Sequence, residues 1–171
     1  ELPDDWTTKQ IVPNQDGGKW LISSGRQIIV TDEEFEEDYT LDLLGKTALG
    51  MFFYQAKGEQ DQILVATQDG ALLRYDSNDG EFLGSSQIEV VNDVWFSATM
   101  SYFPEQDMLT IQNHFITDII DTNSWLQIAR VDNSVGYHEE SDRFFAFDGG
   151  TNRMGVMPHY STEDLVEMAN E

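Results

Sequence analysis

Cysteine is absent from the 171 residues, which excludes disulfide staples, thiolate metal sites and a cysteine nucleophile. The redox compartment stays open, because cytosolic and many surface proteins alike manage without the residue. Basic side chains are scarce: 9 Lys and Arg stand against 32 Asp and Glu, a formal net charge of −23 with a pI near 4.1. A field of that sign repels phosphate backbones, so nucleic acid is excluded as a partner, and docking on an anionic membrane face is disfavoured. Long hydrophobic runs are missing too. Nothing approaches the ~18 residues of a membrane span, and no signal-peptide pattern opens the chain. The first residue is Glu1 rather than Met, which reads as an excised portion of something longer.

What is present is apolar enough to fold. Hydrophobic residues make up 40% and aromatics 12%, outside the composition of a disordered chain. One phrase occurs twice. Tyr75-Asp76-Ser77-Asn78-Asp79-Gly80 and Ile120-Asp121-Thr122-Asn123-Ser124-Trp125 lie 45 residues apart, and at that same offset Ile63-Leu64-Val65 corresponds to Met108-Leu109-Thr110. A period near that length suits one β-propeller blade, a strand–turn–strand unit that buries its apolar faces only against copies of itself. The chain has room for about four blades of ~40 residues.

Short apolar runs bounded by Gly, Asn and Asp recur from end to end. Lys19 to Ile22 and Gln27 to Val30 predict two strands joined through Ser23-Ser24-Gly25. Tyr39 to Leu44 predicts a third, and Leu49 to Gln55, with Met51-Phe52-Phe53-Tyr54, a strand buried on both sides. Gln62 to Thr67, Ala71 to Tyr75 and Glu81 to Leu83 follow, separated by the hairpin signals Gln68-Asp69-Gly70 and Asn78-Asp79-Gly80. The second half predicts strands over Val94 to Met100, Met108 to Gln112, Phe115 to Ile120 and Trp125 to Val131. A last unit starts at Gly136-Tyr137, runs through Arg143 to Phe147, and turns at Asp148 to Asn152 into Met154 to Met157. Ile28, Ile63, Met108 and Phe144 are taken as equivalent positions. Only residues 161–171 read as helix, with Ser161 as N-cap, Asp164 three residues on, and Leu165, Met168 and Ala169 on one face.

The unit Ile63-Leu64-Val65-Ala66-Thr67-Gln68-Asp69-Gly70-Ala71-Leu72-Leu73-Arg74-Tyr75-Asp76, closing with Asp79-Gly80-Glu81-Phe82-Leu83, resembles the bacterial WD40-like and quinoprotein-like propeller repeats. The tail from His159 to Ala169 looks like the segment that often follows the last blade of such proteins. No copy carries the Trp-Asp dipeptide, and the Gly-His pair of eukaryotic repeats is missing. The resemblance implies an all-β, propeller-like domain over residues 1–160 and a short C-terminal helix, and speaks to architecture more than to activity, because propellers host binding modules and enzymes alike. Four blades is the lower limit for closure, and an unclosed end leaves edges that invite self-association.

Candidate sites are few. The acidic run Asp32, Glu33, Glu34, Glu36, Glu37 and Asp38 around Phe35 is the best cation candidate, calcium being the ion considered, against a solvated loop as the plainer reading. Asp76, Asn78 and Gly80 mimic a calcium loop superficially, but the EF-hand Gly would fall at Glu81 and no helix flanks the run, so a turn is expected. His114, His138 and His159 lack metal-ligand spacing, and neither a Gly-x-Ser-x-Gly elbow nor a phosphate-binding glycine loop occurs. Tyr102 and Phe103, placed in a loop beside Pro104, and Trp125, which replaces the Gly80 equivalent in its turn, are the candidate anchors for a partner. The expectation is a non-enzymatic interaction or ligand-sensing module of a larger bacterial protein, with no cofactor and no identified partner. It is placed on the outer face of a Gram-positive cell, with a cytoplasmic effector as the rival. A glycan-acting hydrolase and a calcium-dependent adhesion module are the alternatives.

Overall fold

The computed structural model describes residues 8–55, 60–88, 98–113, 116–148, 150–160 and 162–170. Sheet 1 is formed by β1 (Gln10–Pro13), β2 (Lys19–Ser23), β3 (Ile28–Asp32) and β4 (Glu37–Leu41), and sheet 2 by β5 (Ala48–Tyr54), β6 (Gln62–Thr67), β7 (Ala71–Asp76) and β8 (Phe82–Gln87). Sheet 3 holds β9 (Thr99–Phe103), β10 (Met108–Asn113), β11 (Ile116–Asp121) and β12 (Leu126–Asp132). Sheet 4 has three strands, β13 (Ser134–His138), β14 (Arg143–Asp148) and β15 (Arg153–Pro158), and α1 (Thr162–Asn170) ends the chain. Within each sheet, neighbours in sequence are neighbours in space. These are the four propeller-like blades that the repeat predicts. Two compact units contain them, Glu1–Met100 and Ser101–Glu171. Among the described residues no helix is long and apolar enough to cross a membrane.

The repeat is visible in hydrogen bonds. The Gly80 N–H donates to the Asp76 carbonyl at 3.0 Å, and the Trp125 N–H to the Asp121 carbonyl at 2.8 Å. Gly80 and Trp125 both adopt left-handed backbone, with φ of 75° and 59°. In each turn the leading aspartate's Oδ1 accepts the amide two residues on, from Asn78 at 2.7 Å and from Asn123 at 3.3 Å. Asp32 does the same for the Glu34 amide at 2.9 Å and also takes the Glu36 amide at 2.8 Å. Aspartate recurs there because its short carboxylate reaches the amides that a tight turn leaves without ladder partners. A second bond clamps the residue after the third strand's end to the start of the neighbouring strand: Ser77 N–H to the Asp61 carbonyl at 3.0 Å and Thr122 to Asp107 at 2.8 Å in the two turns, and His159, just past β15, to Asp142 at 3.1 Å.

Asp76→Ala is therefore expected to cost about 1–3 kcal/mol, because that buried carboxylate holds two amide groups, those of Asn78 and Gln60. The half-buried Asp121, changed to Ala, is expected to cost about 1 kcal/mol or less. Urea unfolding of the two variants measures the difference.

Register corrects two of the predicted equivalences, those of Ile28 and of Met108, which takes the position of Gln62 while Leu109 takes that of Ile63. Lys19, Gln62, Met108 and Arg143 open the second strands of their sheets, paired with Asp32, Asp76, Asp121 and Pro158. Trp20 thus corresponds to Ile63, whereas Ile28 lies on a third strand. The first strand β1 is short, ends at Pro13 and is half exposed, so the sequence carries no strand signal for it and Ile28 reads as second-strand when it is third. The predicted strand from Tyr39 to Leu44 instead pairs from Glu37 and stops at Leu41, where Leu44 and Gly45 turn the chain at φ of 55° and 75°. Of the predicted strand from Val94, residues 94–97 lie outside the described residues, as do the N-cap Ser161, His114 and Phe115.

Sheets 1 and 2 stack. Alternation sends Leu21, Ile28, Val30 and Leu41 from one sheet and Met51, Ile63, Val65, Leu73 and Tyr75 from the other into a shared core. Each such side chain contributes roughly 1.5–3 kcal/mol when fully buried. Leu64 and Leu72, on the second face of sheet 2, are fully buried as well, so this sheet is covered on both sides, as the aromatic run in β5 leads one to expect. In the second unit, Met108, Ile119 and Val131 of sheet 3 close on Phe144 of sheet 4.

Candidate binding site

The stacking of sheets 1 and 2 brings one end of β2, the end of β5 and the Asp76–Gly80 turn around a polar cleft of about 270 Å³. Asn14, Asp16, Lys19, Gln55, Asp61 and Asn78 line it, with Phe53 and Tyr54 behind. Its centre is the Ser77 carbonyl, which accepts from the Lys19 ammonium at 3.1 Å and from the Tyr39 hydroxyl at 2.6 Å. The ammonium also lies 3.6 Å from an Asp38 oxygen and 5.5 Å from the centre of the Tyr39 ring. One cation therefore ties β2 and β4 to the turn of the next sheet. The walls are fixed in the same way: Asp16 Oδ1 takes the Gly18 amide at 2.9 Å, Asn14 Oδ1 takes the Lys19 amide at 2.9 Å, and Gln55 donates to Asp61 at 3.1 Å.

The tyrosines at this joint are held protonated. Burial raises the Tyr39 phenol well above its ordinary range, and the carboxylates Asp38, Asp76 and Asp79 add to the shift. Tyr75, whose hydroxyl donates to the Asp42 carbonyl at 2.6 Å, is pushed up to about 12 by burial and, second, by Asp42. A phenol raised in the folded state contributes stability that is complete below its unfolded pKa of about 10 and is lost as pH climbs to about 12. Stability is thus expected to fall through that window, and to fall less in Tyr75→Phe, with denaturant midpoints at each pH as the check.

The anchors and ligands predicted from sequence sit elsewhere. Tyr102 and Phe103 belong to strand β9 rather than to a loop, and both are half-buried. Phe103 packs edge-on against Tyr137 at 4.7 Å beside the sheet 3–sheet 4 core, so it is a packing side chain and not a loop anchor. Pro104 marks the turn that follows it. Trp125 does occupy the predicted turn position, but half-buried instead of exposed. In the acidic run Asp32 caps its own turn, Asp38 faces Lys19, and Glu33, Glu34, Glu36 and Glu37 are exposed. Among the described residues no three His, Asp or Glu side chains converge as a metal set. The calcium-dependent reading is tested by the melting temperature, which it expects to rise by several degrees with calcium but not with magnesium; no rise would contradict it.

Of the histidines, His138 Nδ1 lies 3.0 Å from Ser141 Oγ on the exposed 3-10 turn Glu139–Ser141, outside the cleft. The His159 side chain is buried, with Nδ1 3.1 Å from Asp142 and the ring against Tyr137 and Phe144. The cleft was not legible in the sequence. Its residues are far apart along the chain and individually ordinary, and only the register of two sheets assembles them.

No protein-family model matches the chain, and no curated protein matches it. Solved structures do. BamB from Moraxella catarrhalis superposes with a TM-score of 0.62 at 14% identity, over 94% of this chain and 56% of its own. Sqt1 of Saccharomyces cerevisiae gives 0.59 at 14%, over 90% and 49%. The Swd1 β-propeller domain of Myceliophteria thermophila gives 0.57 at 12%, over 94% and 58%. All are WD40- or β-propeller-like proteins, so the fold is that of a β-propeller, and this chain spans about half the length of each.

Proposed function

We propose that this chain is a non-enzymatic interaction module whose cleft between sheets 1 and 2 receives a basic side chain of a protein partner. The observation that carries the reading is the cleft itself. Its polar groups are already engaged in holding turns, which makes them rigid hydrogen-bonding surface rather than free acids and bases. At about 270 Å³ it falls just below the ~300–1,000 Å³ of sites for drug-sized ligands and suits one long side chain. Asp16 and Asp61 on its walls, together with the net charge of −23, favour a cationic visitor and speed its approach. The acidity suits placement outside the cytoplasm, on a larger bacterial protein, with a cytoplasmic effector as the rival.

Calorimetric titration with a Lys/Arg-rich peptide and with its Gln-substituted counterpart tests this. The basic peptide is expected to bind, and Asp16→Asn with Asp61→Asn to weaken it by about tenfold. Equal binding of the two peptides would contradict the proposal. So would turnover of an oligosaccharide panel, which supports the hydrolase alternative.

A further inference from the structure

Three of the four sheets end on a fourth strand, β4, β8 or β12, laid along the outer edge of the third. Each of these edge strands carries one extra residue, Asp38, Leu83 or Ile128, where its register shifts. A bulge of that kind twists an edge and spoils it as a template for another chain. Sheet 4 stops at its third strand. β15 pairs with β14 residue for residue from Arg153 to Pro158, and all 6 of its residues are exposed. Among the described residues no strand lies on its outer side. Arg153 and Pro158 stand at its two ends and leave the middle unguarded.

Successive residues of an antiparallel strand turn their N–H and C=O groups to opposite edges. The His159 N–H donates back to Asp142 and the Phe147 N–H to Asn133. Arg153, Gly155 and Met157 therefore face β14, while Met154 and Val156 offer their backbone groups outward. The side chains of Met154 and Val156 share a face of the sheet with Phe145 and Phe147, and they are 58% and 47% exposed. We infer that β15 pairs antiparallel with β15 of a second copy, about a two-fold axis through Gly155. That register sets Met154 against Val156 of the second copy in hydrogen-bonded pairs, apolar against apolar, and places each Arg153 opposite a Met157 rather than opposite its like. Centring the axis on Val156 instead would set Met154 against Pro158, which has no N–H to give. The strand carries no carboxylate, so two chains of net charge −23 meet without bringing acid against acid. The contact is isologous and closes as a dimer. It is separate from the peptide cleft, and neither outcome below bears on that proposal.

Cross-linking in this cysteine-free chain is the test. Gly155→Cys puts its thiol opposite the same residue of the second copy, in a non-hydrogen-bonded pair whose Cα atoms lie ~4.5 Å apart, within disulfide range. The site tolerates a side chain, because an added Cβ meets only the Ala146 carbonyl at 3.7 Å. Mild oxidation is expected to convert this variant to a species of twice the 19.5 kDa chain mass. Met154→Cys, equally open but out of register with its own copy, is expected to cross-link at least about tenfold more slowly. In sedimentation velocity at high micromolar concentration the wild type is expected to dimerise. Val156→Pro, which removes one outward N–H from each copy, is expected to weaken that dimer by about tenfold or more. Equal cross-linking of the two cysteine variants overturns the two-fold register. A monomeric wild type overturns the inference and assigns the edge to a strand of another kind.

Discussion

Replacement of Gly50 by Ala is expected to remove about 3 kcal/mol or more of stability, a large share of the ~5–15 kcal/mol that holds a typical domain. Gly50 is buried on β5, and a Cβ there would lie 2.5 Å from the carbonyl oxygen of Ala98, with the Ala98 carbonyl carbon and Cβ at 3.1 Å. The obstacle is mostly backbone, so no change of rotamer relieves it. That carbonyl belongs to a segment fastened to β5, since the Ala98 amide donates to the Leu49 carbonyl at 2.8 Å. Relief then requires separating the two backbones. Gly155 is the control. Its added Cβ would meet only the Ala146 carbonyl at 3.7 Å, an ordinary contact, and the loss of chain entropy in the unfolded state makes Gly155→Ala neutral or stabilising by up to about 1 kcal/mol. Urea midpoints of the two variants decide the matter; similar midpoints would mean that β5 and residue 98 do not approach as described.

Asp118→Ala is expected to be comparably severe, by a different cause. On β11 this carboxylate is nearly buried, with Oδ1 accepting from Arg130 Nε at 2.7 Å and Oδ2 from Arg130 Nη2 at 3.2 Å. Gln127 donates to Oδ1 at 2.9 Å. A forked pair of this geometry offsets the desolvation of both charges only while both partners are present. Removing the carboxylate takes both bonds of the fork from a guanidinium that is 16% exposed, a loss of about 3–5 kcal/mol. Asp118→Asn keeps an acceptor for Gln127 and is expected to fall between the two. Chemical unfolding measures both, and a loss below about 1 kcal/mol in Asp118→Ala would show that the pair is solvated.

The sequence exposed the sheets through their turns. Asp76 and Gly80, and Asp121 with Trp125, announced themselves because a tight turn needs a short acceptor side chain at its start and left-handed backbone at its end, requirements that few residues meet. The tyrosine-rich joint was harder to see. Tyr39 and Tyr75 look like any strand aromatics until register shows that each donates to a carbonyl of the neighbouring sheet. Local signals also misled. Pro104 suggested that Tyr102 and Phe103 stood in a loop, although proline after a strand is equally a mark of where the strand stops. The acidic run suggested ligands, but carboxylates that cap a turn or point to solvent have the same composition as carboxylates that converge. Convergence is a property of the fold and not of the run.

Stacking of sheets 1 and 2 is the premise from which the cleft and the tyrosine joint follow. Native-state hydrogen exchange on the amides of Leu21 and Val30 in sheet 1, and of Ile63, Val65 and Leu73 in sheet 2, tests that premise most directly. If the two sheets share one core, these amides open together at a common free energy, and Tyr75→Phe lowers all of them in step. Exchange of the sheet 1 amides at a much lower free energy, unmoved by that substitution, would show that the sheets fold independently and would contradict the account.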